Sequence, residues 1–248
     1  MKGRKYSIFI NTLVVIAASS ITAFPQMKDS QKTATVKFKV RIENISNADG
    51  FTASNGVRWP FVISPGAYSL HRGPGNPLFS VGSYSSEALR SQAEDGNPDL
   101  LVNLASHHAG VRLSEVFNTP VKEMKPGPVG PGGAYEFEVT ATPGAHLFVT
   151  FMFGQSNDLF YGNEKAIALF DGAGKPVSSD ITSQFGLWDA GTEVNEEPGI
   201  GPNQAPRQPR PHTGPREHER IGLANDSYTY PKTGDVLRIT ITPDVGMM

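Results

Sequence analysis

Between Val36 and Glu43 apolar and charged residues alternate: Val36, Phe38, Val40 and Ile42 against Lys37, Lys39, Arg41 and Glu43. A period of two sends one set into a core and the other into water, which predicts a strand with one solvated face. The alternation returns in Tyr135, Phe137, Val139 and Ala141 against Glu136, Glu138 and Thr140. It returns again in Leu237, Ile239 and Ile241 against Arg238, Thr240 and Thr242, just before Pro243. Leu147 to Phe153 is nearly continuous apolar, the pattern of a central strand covered on both faces. Lys165 to Phe170 predicts a further strand, closed by Asp171-Gly172. Residues 56–72, broken at Pro60 and at Ser64-Pro65-Gly66, read as loop or short strands.

The period changes near Ser86. Ser86 suits an N-cap and Glu87 a first turn, and Ala88, Leu89 and Ala93 follow at helical spacing. Gly96-Asn97-Pro98 ends that helix. Asp99 caps a second through Leu100, Leu101 and Leu104, stopping at Gly110. Strands joined by long loops predict an all-β antiparallel β-sandwich with a short helical insert around residues 86–108. The first and last strands are too regular to be dispensable, so one domain over 34–243 is simpler than two, with a flexible lead at 24–33 and a tail at 244–248.

Lys2, Arg4 and Lys5 precede an apolar run from Ser7 to Ile21, with Ala23 placed as the last residue of a cleavable signal. The run is short for a membrane span, and no later stretch is long enough to cross a bilayer. The expected location is therefore secreted, or periplasmic and cell-envelope. The full chain carries a formal charge of −2, and loss of residues 1–23 removes three positive charges and no acidic ones. An acidic remainder argues against nucleic-acid binding, which needs a basic face, and is compatible with cations. There is no cysteine, so no disulfide framework supports the fold.

Ser156-Asn157-Asp158 follows one apolar strand and Asp189-Ala190-Gly191-Thr192-Glu193 follows Trp188. Two carboxylates four residues apart around a glycine, with a third from a neighbouring loop, suit the hard oxygen shell of calcium. The same spacing also suits a hydrogen-bonded Asx turn. His107-His108 reads as a polar helix end, since adjacent helical residues diverge by about 100°. Glu217-His218-Glu219 reads as a solvated charge run or a transition-metal site, inside a proline- and arginine-rich surface loop from Glu196 to Arg220. There is no G-x-S-x-G elbow, P-loop, H-E-x-x-H or Rossmann fingerprint, so the chain does not read as an enzyme.

Several segments resemble spondin N-terminal domains, especially short bacterial ones: Ser64-Pro65-Gly66-Ala67 with His71, Ala93-Glu94-Asp95-Gly96-Asn97-Pro98, Ser156-Asn157-Asp158, and Trp188-Asp189-Ala190-Gly191-Thr192-Glu193. Gly201-Pro202-Asn203-Gln204 and Thr213-Gly214-Pro215 extend the likeness to about residues 35–242. The resemblance implies a C2-like sandwich holding one structural calcium ion (Ca2+) through Asp158, Asp189 and Glu193. Glu193 stands where an Asp is commoner in that family, and Leu159 where animal members carry Trp. The function implied is a non-catalytic adhesion or protein/matrix interaction module with a protein or glycan partner at the cell surface. Trp188, Tyr161 and Phe185 are the aromatic side chains expected near the acidic loops, as a binding surface or as packing beneath them. A carbohydrate-binding module is the alternative, and a metal-dependent hydrolase the third possibility.

Overall fold

The computed structural model of the protein describes residue 3 and residues 35–73 and 75–244. The expected signal segment (residue 3 apart), the whole lead at 24–33 and the tail beyond Asp244 lie outside the described residues.

The strands run in chain order as β1 (Val36–Asn44), β2 (Phe51–Thr52), β3 (Arg58–Trp59), β4 (Ile63–His71), β5 (Val111–Phe117), β6 (Ala134–Ala141), β7 (His146–Phe153), β8 (Leu159–Gly162), β9 (Ile167–Ala168), β10 (Ser179–Asp180), β11 (Gly186–Asp189), β12 (Gly222–Leu223) and β13 (Leu237–Asp244). Helices α1 (Glu87–Asp95) and α2 (Asp99–Ser106) separate β4 from β5, and a single turn, α3 (Thr233–Val236), precedes β13. All the named strand pairs are antiparallel. The smaller sheet has the order β10-β13-β1-β6, and the larger β12-β11-β8-β7-β4-β5 with β9 beside β7. The terminal strands pair with each other, Val40 opposite Ile241 and Ile42 opposite Ile239, so β1 sits at the middle of its sheet.

The alternating strands bury one face each. Phe38, Val40 and Ile42 of β1 meet Tyr135, Val139, Ile239 and Ile241 of their own sheet and Tyr68, Leu70, Val149, Phe151 and Tyr161 of the larger one in one core. The larger sheet has a second apolar face. Ala67, Phe148, Phe160 and Trp188 project away from the sandwich and are covered by Leu89, Ala93, Leu101 and Ala105 of α1 and α2 together with Leu78, Phe79 and Ile221. Two covered faces explain why β7 has no polar alternation.

The helical insert follows the sequence signals closely at α1. Ser86 Oγ accepts the Leu89 N–H at 3.1 Å, and Gly96 ends the helix in the left-handed region at φ 68°. The second helix differs from expectation. Pro98 occupies its N-cap, Asp99 lies within its first turn, and the helix ends at Ser106 before Gly110.

The larger departure is β4, a nine-residue strand across a stretch expected to be broken. Its register shifts between Ile63 and Gly66 opposite β7. There Ser64 Oγ, rather than a ladder carbonyl, accepts the Met152 N–H at 2.9 Å, and Gln92 of α1 donates to the Pro65 carbonyl at 3.0 Å. The helix thus supplies hydrogen bonds where proline interrupts the ladder. Lys165–Phe170 shortens to the two residues of β9, and the final strand continues through Pro243 to Asp244 at its exposed end.

Gly66 lies at this crossing with no room for a side chain. A Cβ there would sit 2.3 Å from the Thr150 carbonyl oxygen and 2.3 Å from Phe117 Cζ. Gly66→Ala is expected to cost about 2–3 kcal/mol, read as a fall of roughly 5–10 °C in Tm for a domain of this size. Ser86→Ala, which removes only the helix cap, should cost about 1 kcal/mol. A thermal melt in which Gly66→Ala loses no more than Ser86→Ala contradicts the close crossing.

Candidate metal centre

The pairing of β8 with β11 builds the site. Asp189, the last residue of β11, stands opposite Leu159, the first of β8, which brings the preceding Asp158 beside it. The turn holding Asp158 is locked from within: Ser156 Oγ donates to the Phe153 carbonyl at 2.6 Å and accepts the Leu159 N–H at 3.1 Å. After Asp189 the chain folds back. Its Oδ1 accepts the Gly191 N–H at 2.7 Å, an Asx turn, with Gly191 at φ 68°. A Cβ at Gly191 would lie 2.6 Å from the Glu219 carbonyl oxygen. The proline-rich loop returns along this turn, with the Glu219 N–H donating to the Gly191 carbonyl at 3.0 Å and the Glu217 N–H to the Thr192 carbonyl at 3.3 Å. The close approach is what carries Glu217 to the site.

Asp158, Asp189 and Glu217 each offer a carboxylate oxygen, all within 4.8 Å of one another. Asp158 is fully buried. Its Oδ2 accepts the Thr192 N–H at 2.7 Å, the Thr192 hydroxyl at 3.0 Å and the Glu193 N–H at 3.1 Å. Its Oδ1 has no hydrogen-bond partner among the described residues. Asp189 Oδ2 accepts the Asn195 amide at 2.5 Å. Asp189 and Glu217 line a polar cleft of about 500 Å³ together with Asn195, Glu219, Asp226 and Tyr228, while the buried Asp158 lies behind them and outside the lining.

Of the three expected ligands, the structure brings Asp158 and Asp189 together but not the Glu193 carboxylate. Glu193 is also buried, yet its Oε1 accepts the Gly214 N–H at 2.9 Å, its Oε2 has no hydrogen-bond partner among the described residues, and it lies beside Glu94. The extra methylene of Glu carries its carboxylate onto the loop at Gly214. Glu217 supplies the third carboxylate from a segment that reads as a charge run in the sequence. Its neighbour His218 stacks on Tyr84, ring centroids 4.7 Å apart, and takes no part in the cluster. Trp188, Tyr161 and Phe185 are buried and so present no surface. Trp188 donates to the Gly162 carbonyl at 2.9 Å beneath the helices, while Tyr161 and Phe185 pack inside the sandwich.

A second acidic group, Glu94, Asp95 and His212, is an ion-pair staple. Glu94 Oε1 accepts from Arg90 Nε at 2.7 Å, its Oε2 meets His212, and Asp95 Oδ1 accepts from Gln208 at 2.9 Å. The carboxylates' inner oxygens are thus engaged, and the proline-rich loop is tied to α1.

The electrostatics of the first group follow from crowding. Burial, then the Asp189 charge, pushes Asp158 well above the usual carboxylate range against the three donors on Oδ2. Burial raises Asp189, opposed by Gly191 and Asn195. Burial, followed by Asp189, lifts Glu217 to about 7. Burial, then Glu94, lifts Glu193 to about 7. A carboxyl whose pKa is higher in the folded state keeps a proton that the unfolded chain has released. Stability therefore falls as pH rises from about 4.3 through the folded values. In EDTA, Tm should decline between pH 5 and pH 8. A flat or rising Tm over that window contradicts the crowding of these carboxylates.

No protein-family model matches the chain, and no curated protein matches it either.

Proposed function

We propose that this chain is a secreted, non-catalytic calcium-binding sandwich of the spondin type, serving adhesion or interaction at a cell surface or matrix. The observation that carries this reading is Asp158: a fully buried carboxylate with three donors on one oxygen and, among the described residues, none on the other, facing two more carboxylates. A buried charge left unpaired is costly, and a site of this form is completed by a proton or by a cation. The donors are all carboxylate oxygens, with no imidazole or thiol among them. Hard ligands of that kind suit calcium rather than zinc or copper. The likeness of the Ser156–Asp158 and Trp188–Glu193 segments to spondin domains points the same way.

The ion's role is structural. It neutralises Asp158, Asp189 and Glu217 and so joins the β7–β8 turn, the end of β11 and the returning proline-rich loop. For a dissociation constant near 10⁻⁴ M, about 10 mM calcium stabilises the folded state by about 2.7 kcal/mol. In a domain of this size that is a rise of roughly 5–10 °C in Tm. Magnesium at the same concentration should give little, because it favours tight octahedral sites that keep several waters. No calcium-specific rise in Tm would remove the metal from the reading.

Glu217→Gln separates repulsion from ligation. Without metal it removes one of three crowded charges, so Tm in EDTA should stay level or rise by roughly 2–4 °C. With calcium it removes a ligand, and the calcium-dependent rise should shrink to less than half. Equal calcium shifts in wild type and Glu217→Gln would exclude Glu217 as a ligand.

A further inference from the structure

Calcium takes six to eight oxygens, and Asp158, Asp189 and Glu217 do not fill that shell by themselves. Several of their oxygens are already committed: Asp158 Oδ2 to Thr192 and Glu193, and both oxygens of Asp189 to Gly191 and Asn195. Asp158 lies at the back of the site, whereas Asp189 and Glu217 line the cleft. The open coordination positions of a cation held there therefore face the cleft.

We infer that this outward side of the cation receives a pair of hydroxyls from a neutral sugar seated in the cleft, an inference that rests on the calcium reading above. Charge selects the class of ligand. Besides Asp189 and Glu217 the cleft is lined by Glu219 and Asp226, against the single cation Arg220. Arg220 is occupied elsewhere, donating to the Gly82 carbonyl at 2.8 Å with its guanidinium 4.5 Å from the Tyr84 ring centroid. One divalent ion leaves the cleft negative, so carboxylated, sulfated and phosphorylated ligands are repelled. A sugar diol brings two neutral oxygens at a spacing that one calcium ion can hold, and its hydroxyl hydrogens find carboxylate acceptors.

Those acceptors are positioned in advance. Asp226 accepts the Tyr228 N–H at 2.8 Å through Oδ1 and the Tyr230 hydroxyl at 2.5 Å through Oδ2, which fixes its carboxylate at the cleft wall. Asn195 and Asn225 add amides to the lining, and Tyr228, 36% exposed, offers an aromatic ring against the C–H face of a sugar. Tyr84 cannot serve in this way, because His218 stacks on it and Arg220 lies against it.

The test uses the full chain on an array of neutral and acidic glycans in about 2 mM calcium and in EDTA, with hits measured by titration calorimetry. Neutral glycans carrying vicinal hydroxyls should bind in calcium and lose at least about tenfold in affinity in EDTA. Tyr228→Ala should weaken that binding by about tenfold while its calcium-dependent rise in Tm equals that of wild type. A normal calcium shift with no neutral glycan bound overturns the inference and leaves the calcium site standing. Binding that persists in EDTA, or a preference for acidic glycans, also overturns it. Absence of any calcium shift overturns both readings together.

Discussion

The structure depends on how a carboxylate is kept out of water at Asp158. Everything nearby is arranged around that side chain: the Ser156 turn that presents it, the β8–β11 register that sets Asp189 beside it, and the Thr192 and Glu193 amides that satisfy one of its oxygens. Two backbone donors and a hydroxyl favour the ionised form, while burial and the Asp189 charge oppose it. Burial outweighs the donors, which favours the protonated carboxyl. A divalent cation would reverse the balance, because it would turn the mutual repulsion of three carboxylates into attraction to a common centre.

This arrangement is possible because the larger sheet is sealed on both sides. The sandwich core covers one face, and α1, α2 and the segment around Leu78 and Phe79 cover the other. Aromatic side chains fill both layers, with Tyr68 stacked on Phe137 across the sheets at 4.1 Å and Phe79 edge-on to Phe160 at 5.1 Å. In a chain without cysteine this packing carries the stability that disulfides supply in many exported domains. It also draws Trp188, Tyr161 and Phe185 into the interior, so they offer no surface to a ligand.

What could be read from the sequence was whatever a local pattern encodes. Alternation at β1, β6 and β13, the apolar run of β7, and the Ser86 cap and Gly96 stop of α1 each depend on near neighbours, and each is present. Strand β4 was not legible, since Pro65 and Gly66 break its pattern and its compensation comes from Gln92 on a helix. The short strands β8 and β11 draw their stability from partners rather than from periodicity. The nearness of Asp158 and Asp189 was legible because one follows the apolar run of β7 and the other directly follows Trp188. That of Glu217 was not, because its place is set by a backbone contact between Gly191 and Glu219 across a long loop. Glu193 was misplaced for a related reason. Its spacing from Asp189 suits a ligand, but side-chain length and the Gly214 amide decide where its carboxylate goes.

The proline-rich loop is held at several points by charges of α1 and of the site. His212 meets Glu94 and lies 3.2 Å from Asp95, Gly214 donates to Glu193, and Arg207 reaches Gln155 at 3.0 Å. Prolines lower the entropy that such a segment loses on ordering, so a few polar contacts suffice to fix it. Glu217 lies at the end of this tethered stretch and meets Asp158 and Asp189 from the opposite side. An ion shared by all three would close a loop that the contacts with α1 already shorten. The entropic cost of bringing Glu217 beside Asp158 and Asp189 is largely met by those tethers. Preorganisation of this kind holds three carboxylates, only one of them fully buried, within 4.8 Å of one another.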